Sequence, residues 1–289
     1  MRPRDLPKIR DRIVADLTNP ASVLRQATEE PTALQVARAL QASDLWWVAP
    51  DMAALAVAAG AGLPDVRWST ADRPSGCGMV VWDGGIGQVR THDAMVAVDA
   101  LSWGSCPEGF SVVAWIRRTG LADVLGDDWR KIGLRTGDGL PALVPVGQFT
   151  QPVTADRYPA EQIPERYRTV FVTLAAAWLL MEQPTLVERR PVDLDRPTRS
   201  RYGRAGRPQP KVSLVELRRQ YVPQDRDPDA GTDGRRYRNR WVVRGHWRHY
   251  TDERFSEELR ESPRWIPHHV KGPEGAPLLV TEKVNVWRR

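Results

Sequence analysis

The sequence predicts an α+β protein: N-terminal helices with an antiparallel meander, followed by a small basic curled β-sheet or barrel. Three observations point there. Apolar residues recur at helical spacing through residues 5–62, the period changes to two from about Gly78, and period two returns over a basic last quarter. A chain of 289 residues, 41% of them hydrophobic, can close one large core or two modest ones.

The elements follow in order. Asp5 to Leu17 reads as a helix ending near Asn19-Pro20, and Thr32 to Leu45 as a second, with Leu34, Ala37 and Leu40 on one stripe. Asp51 can cap a third, Met52–Ala59, which Gly60 and Gly62 stop. Trp46-Trp47, at the joint between these two, reads as core. Met79–Trp82, Ala94–Trp103 and Phe110–Arg117 are apolar runs separated by Gly, Pro and Asp, as in a meander, and Leu140–Val146 can add a strand. Glu165 to Gln183 is a helix with Val170, Leu174, Ala177, Trp178 and Met181 on its apolar side, closed by Pro184.

Residues 189–211 are rich in arginine, proline and glycine and read as a linker between a domain at 1–188 and a basic β-domain at 212–289. Four strands are expected in the latter: Val212–Arg218, Arg236–Tyr250, Arg264–Lys271 and Leu278–Trp287. Charge divides the chain in the same way. Residues 184–289 carry 24 Lys and Arg against 15 Asp and Glu, so the last part suits a polyanion and the first can recognise something else, such as a protein.

Alternation across Arg236–Tyr250 sharpens this. Arg236, Arg238, Arg240, Val242, Arg244, His246, Arg248 and Tyr250 share one face of an extended strand, while Trp241, Val243 and Trp247 take the other. The arginines, with Lys271, can hold phosphates, and Tyr250 can stack on a base; Trp247 reads as core. Edge protection by charge is the plainer alternative. Gly245 is a natural place for the strand to bend.

Four of five histidines fall here. His246 and His249 face opposite sides of a strand, as do His268 and His269, so neither pair suits one metal, and no metal or cofactor is expected. His246 between Arg244 and Arg248, with His268 from the next strand, has the makeup of an acid–base pair for RNA cleavage; hydrogen bonding within the sheet is the plainer alternative. The run Asp225–Asp233 alternates acids but lacks the closing glutamate of a calcium loop. Cys77 and Cys106 cannot form a disulfide framework, and neither a signal peptide nor a membrane span is apparent, so a cytoplasmic protein is expected.

The strings VVRGHWRHY (Val242–Tyr250) and RWIPHHVKGPEGAPLL (Arg264–Leu279) resemble the tail of a protein group from actinobacteria and their phages and plasmids. DMAALAVAAGAGLPDV, WDGGIG and LAAAWLLMEQP are similar to that group too, so the likeness spans most of the chain. More distantly, Gly245-His246-Trp247, Trp265-Ile266-Pro267 and Lys271-Gly272-Pro273 resemble the anti-CRISPR family that lowers messenger RNA of the type V CRISPR nuclease. The resemblance implies a mobile-element setting, with recognition of a nascent peptide coupled to loss of its message. No residue-level role comes with it.

Together these readings predict a cytoplasmic RNA-binding protein of a phage or plasmid that interferes with gene expression, with the ribosome or a nascent peptide as candidate partners. The rivals are a metal-independent endoribonuclease using His246 and His268, and a protein-binding inhibitor whose basic face docks on an acidic partner.

Overall fold

The computed structural model describes residues 1–67, 72–90, 95–107, 109–121, 139–151, 157–218, 240–243, 245–257, 260, 263–267, 269–271 and 278–279. The chain divides into two compact units, Met1–Arg218 and Arg219–Arg289. Unit 1 runs α1 (Leu6–Thr18), α2 (Val23–Gln26), α3 (Glu30–Gln41), β1 (Asp44–Val48), α4 (Pro50–Gly60), β2 (Asp65–Arg67), β3 (Gly78–Trp82), β4 (Gln88–Arg90) and β5 (Met95–Ala97). It continues through β6 (Ala100–Cys106), β7 (Gly109–Arg117), β8 (Leu143–Gln151), β9 (Arg157–Pro159), α5 (Glu165–Met181), β10 (Val187–Pro191), α6 (Arg196–Arg204) and β11 (Val212–Leu217).

A seven-stranded mixed sheet in the order β10-β11-β1-β3-β6-β7-β8 forms the centre. β1 is parallel to both β11 and β3, and the remaining pairs are antiparallel. The central strands bury both faces, which suits the near-continuous apolar runs of parallel strands. Leu45, Trp47, Met79, Val81, Val113 and Trp115 face a core shared with α1 and α3. Alternation sends Trp46, Val80, Leu101 and Trp103 to the opposite face. There Trp46 stacks on Trp103 at 5.2 Å, and Trp103 meets Trp178 of α5 edge-on at 5.2 Å. Helices thus cover both faces of the sheet. Most of the tryptophans that crowd this sequence are core residues here.

Mixed α and β structure was expected, and the β6-β7-β8 meander lies where the period-two runs predicted it. Three expectations are corrected. Trp46-Trp47 is not a helix joint: it belongs to β1, whose five residues have no alternation to betray a strand because both faces are covered. Residues 189–211 are not a linker, since β10 begins before them and α6 lies within them. Val212–Leu217 does not open the last domain. As β11 it lies between β10 and β1, burying Val212 and Val215, so the division falls at Arg218/Arg219.

In unit 2 the described strands are β12 (Arg240–Val243), β13 (His246–Arg248), β14 (Arg264–Ile266), β15 (His269–Lys271) and β16 (Leu278–Leu279). β12 lies between β15 and β16, and β13 pairs with β14 in a separate two-stranded sheet. No barrel closes among the described residues, and the single strand expected at Arg236–Tyr250 is divided beside Gly245. The reason is steric. A Cβ at Gly245 would lie 2.5 Å from Trp265, so the missing side chain is what lets the ring seat against the chain. Register nevertheless survives the break: Val243 pairs with His269 and His246 with Ile266, as one continuous antiparallel ribbon requires.

Candidate nucleic-acid interface

Trp247 and Trp265 are cross-strand partners on one face of β13–β14, both buried, with ring centroids 5.3 Å apart in an edge-on arrangement. That pair anchors the ribbon. The register therefore places His246, Arg248, Arg264 and Ile266 together on the other face, with Arg248 directly opposite Arg264. Arg264 and His246 are exposed and Arg248 is half-buried. Like charges directly opposite one another destabilise a sheet. Among the described residues neither arginine forms an ion pair, whereas nearby Arg254 binds Asp252 and holds its carboxyl below the usual carboxylate range.

Tyr250 is not the open platform the sequence suggests. It is half-buried, the Arg248 guanidinium lies 5.0 Å from its ring centroid, and Phe255 meets it edge-on at 4.8 Å. The Arg248 guanidinium thus lies within cation–π range of the phenol ring, and an incoming base would meet a guanidinium–aromatic pair. Lys271 is exposed but pairs with Trp241, so the register puts it on the face away from position 242 and does not join it to the arginine row. Arg240 opens β12. Arg236, Arg238, Arg244 and His268 lie outside the described residues, as do the Asp225–Asp233 loop and most of the expected strand Leu278–Trp287. His269 faces Pro267 O at 3.1 Å through Nδ1, a local contact within the strand end.

Unit 1 also holds the basic residues expected in a linker. α6 is fixed by Asp195, which caps it by accepting from Thr198 N at 2.9 Å and pairs with Lys8 at 2.7 Å. Those bonds hold the Asp195 carboxyl below the ordinary range. Tyr202 is buried; its hydroxyl donates to Asp11 at 2.6 Å and accepts from Arg10 at 2.6 Å. Burial, then the Asp11 carboxylate, push the phenol's pKa up. The helix closes in a Schellman turn: Gly206 adopts φ 62°, Arg207 N donates to Tyr202 O, and Gly206 N to Gly203 O. Asp11, Arg201, Tyr202, Ala205 and Arg207 line a pocket of about 230 Å³. Its carboxylate, already engaged by Arg10, Arg201 and Tyr202, disfavours an anion there.

The chain matches no family model and no curated protein sequence.

Among the described residues no cluster of His, Cys, Asp or Glu could hold a metal, and no helix is long and apolar enough to cross a membrane. The chemistry on offer is that of cations, rings and the exposed imidazoles of His246 and His249. The signal that could have found α6 is the spacing of Leu194, Thr198 and Tyr202, four residues apart and all buried.

Proposed function

We propose that the chain binds RNA, as a cytoplasmic protein of a phage or plasmid that interferes with gene expression. The observation that carries this reading is the Arg248–Arg264 cross-strand pair. Two arginines at directly opposed register positions on one face, with no carboxylate bonded to either among the described residues, would both gain from a shared phosphate. Tyr250 beneath Arg248 adds a surface on which a base can stack, each stacked base contributing roughly 1–3 kcal/mol. A lone phosphate would use the cations and leave that stack idle. Selection of a target, including a nascent peptide on the ribosome, falls to unit 1 in this reading.

Crosslinking in cells, followed by sequencing of attached nucleic acid, tests it. RNA should be enriched over DNA. The double variant R248A/R264A should weaken RNA binding at least about tenfold, equivalent to one charge-assisted hydrogen bond or more. Recovery of one dominant acidic protein and no RNA would favour the inhibitor reading instead.

His246 favours a second reading, because it shares its face with both arginines and is exposed. An imidazole beside two phosphate-binding cations is suited to proton transfer at a 2′-hydroxyl. Under this reading purified protein cuts RNA in the presence of chelator, and His246→Ala stops cutting while binding persists.

A further inference from the structure

From Arg196 to Lys211 the sequence holds six cations and no carboxylate. α6 turns three of them outward. Thr198 and Tyr202 point inward, with Leu194 buried just before the cap, so at 100° per residue the opposite side is centred on Arg196, Ser200 and Arg204, with Gly203 and then Arg199 toward one flank. All five of these residues are exposed. That side is bare toward Gly203: a Cβ built there would meet nothing within 4 Å. Among the described residues Arg196, Arg199 and Arg204 form no ion pair, whereas Arg201, turned toward α1, is held by Asp11 at 2.8 Å. Arg207 lies 5.3 Å from the Tyr202 ring centroid, beside the Schellman turn.

We propose that this side of α6 is a second RNA-contact surface, located in unit 1, that grips the sugar–phosphate backbone without reading bases. It rests on the RNA reading above but on different residues. Arg196 and Arg204 are eight residues apart, roughly 12 Å along the helix. Three guanidinium groups around a bare saddle let a phosphate strand approach the helix backbone closely. An acidic protein is the poorer fit, because protein interfaces rely on buried aromatic and aliphatic anchors and this side of α6 has none. A membrane surface is poorer still, since an interfacial helix needs an apolar face to insert and that of α6 is turned into the core. With Tyr202 buried, no ring is available for stacking, so binding here is sequence-independent.

The test is a salt titration of full-length protein against a fluorescent single-stranded RNA and a duplex DNA of equal length. R196Q/R199Q/R204Q should lower the slope of log K against log salt by about 2, since each phosphate neutralised on a single strand contributes roughly 0.7. The weakening should be equal across RNA sequences, with the melting temperature unchanged. Ser200→Glu, which places a carboxylate in the saddle, should weaken binding in the same direction. An unchanged slope in the triple variant overturns the proposal, as does polyglutamate competing as well as RNA of equal charge, or tighter binding of duplex DNA. If R248A/R264A leaves binding intact while the triple variant weakens it, the unit 2 site fails and α6 stands. The reverse pattern sinks α6 and leaves the unit 2 site.

Discussion

Arg10 is 3% exposed, and its guanidinium is bonded to Asp11 at 3.0 Å, Ser43 O at 3.3 Å and the Tyr202 hydroxyl at 2.6 Å. Removing the phenol oxygen leaves a buried cation short of an acceptor. Tyr202→Phe should therefore lower stability by about 1–3 kcal/mol, read from urea unfolding. Linkage gives the direction with pH. A phenol whose folded pKa is raised contributes stability fully present below its free value, near 10, and lost as pH rises through the higher folded value. The gap between wild type and Tyr202→Phe should thus narrow at strongly alkaline pH. Asp195 works in the opposite sense. Its lowered pKa contributes stability present above the free value, near 4, and lost as pH falls through the folded value. Asp195→Asn keeps a good helix cap but loses Lys8, so its melting temperature should trail at pH 7 and converge with wild type in acid.

Among the elements, the β13–β14 ribbon depends on one missing side chain. Gly245→Ala would drive a methyl group into Trp265 and separate it from Trp247. Overpacking of this kind costs about 1–3 kcal/mol, and tryptophan fluorescence of unit 2 should shift to longer wavelength. This bend was legible in the sequence, because a glycine inside an alternating run marks a kink or a close approach. Helix α6 was written as plainly, in Leu194, Thr198 and Tyr202, yet six cations and the prolines among them masked a stripe only three residues long. β1 was hidden for the opposite reason: Asp-Leu-Trp-Trp-Val is apolar on both sides, and period two disappears when both faces are buried. Of the arginine row, the alternation through His246 and Arg248 matches the ribbon's register, but no local pattern could tell that Tyr250 would be covered by Arg248 or that Lys271 would fall beside Trp241.

At the scale of the molecule, the division at Arg218/Arg219 redistributes charge. Residues 219–289 carry 15 Lys and Arg against 11 Asp and Glu, while 184–218 carry 9 against 4. More than half of the basic surplus of the last third of the sequence therefore belongs to unit 1. On the RNA-binding proposal, two cationic surfaces on one chain would make long RNA a bivalent ligand, and engaging the second surface would add affinity through effective concentration. Shortening the RNA should produce a step in affinity, read by fluorescence anisotropy, once one strand can no longer engage both. Below that length R196Q/R199Q/R204Q and R248A/R264A should each act on a different population of complexes.

The place of β11 between β10 and β1 also dictates an order of events during synthesis. It is the last strand of unit 1 to be translated, and β1 hydrogen-bonds to it along nearly its whole length. Until Leu217 has emerged, the Leu-Trp-Trp-Val edge has no neighbour on that side and is a natural substrate for chaperones. A fragment ended at residue 188 should accordingly aggregate on expression, whereas one ended at Arg218 should stay in solution.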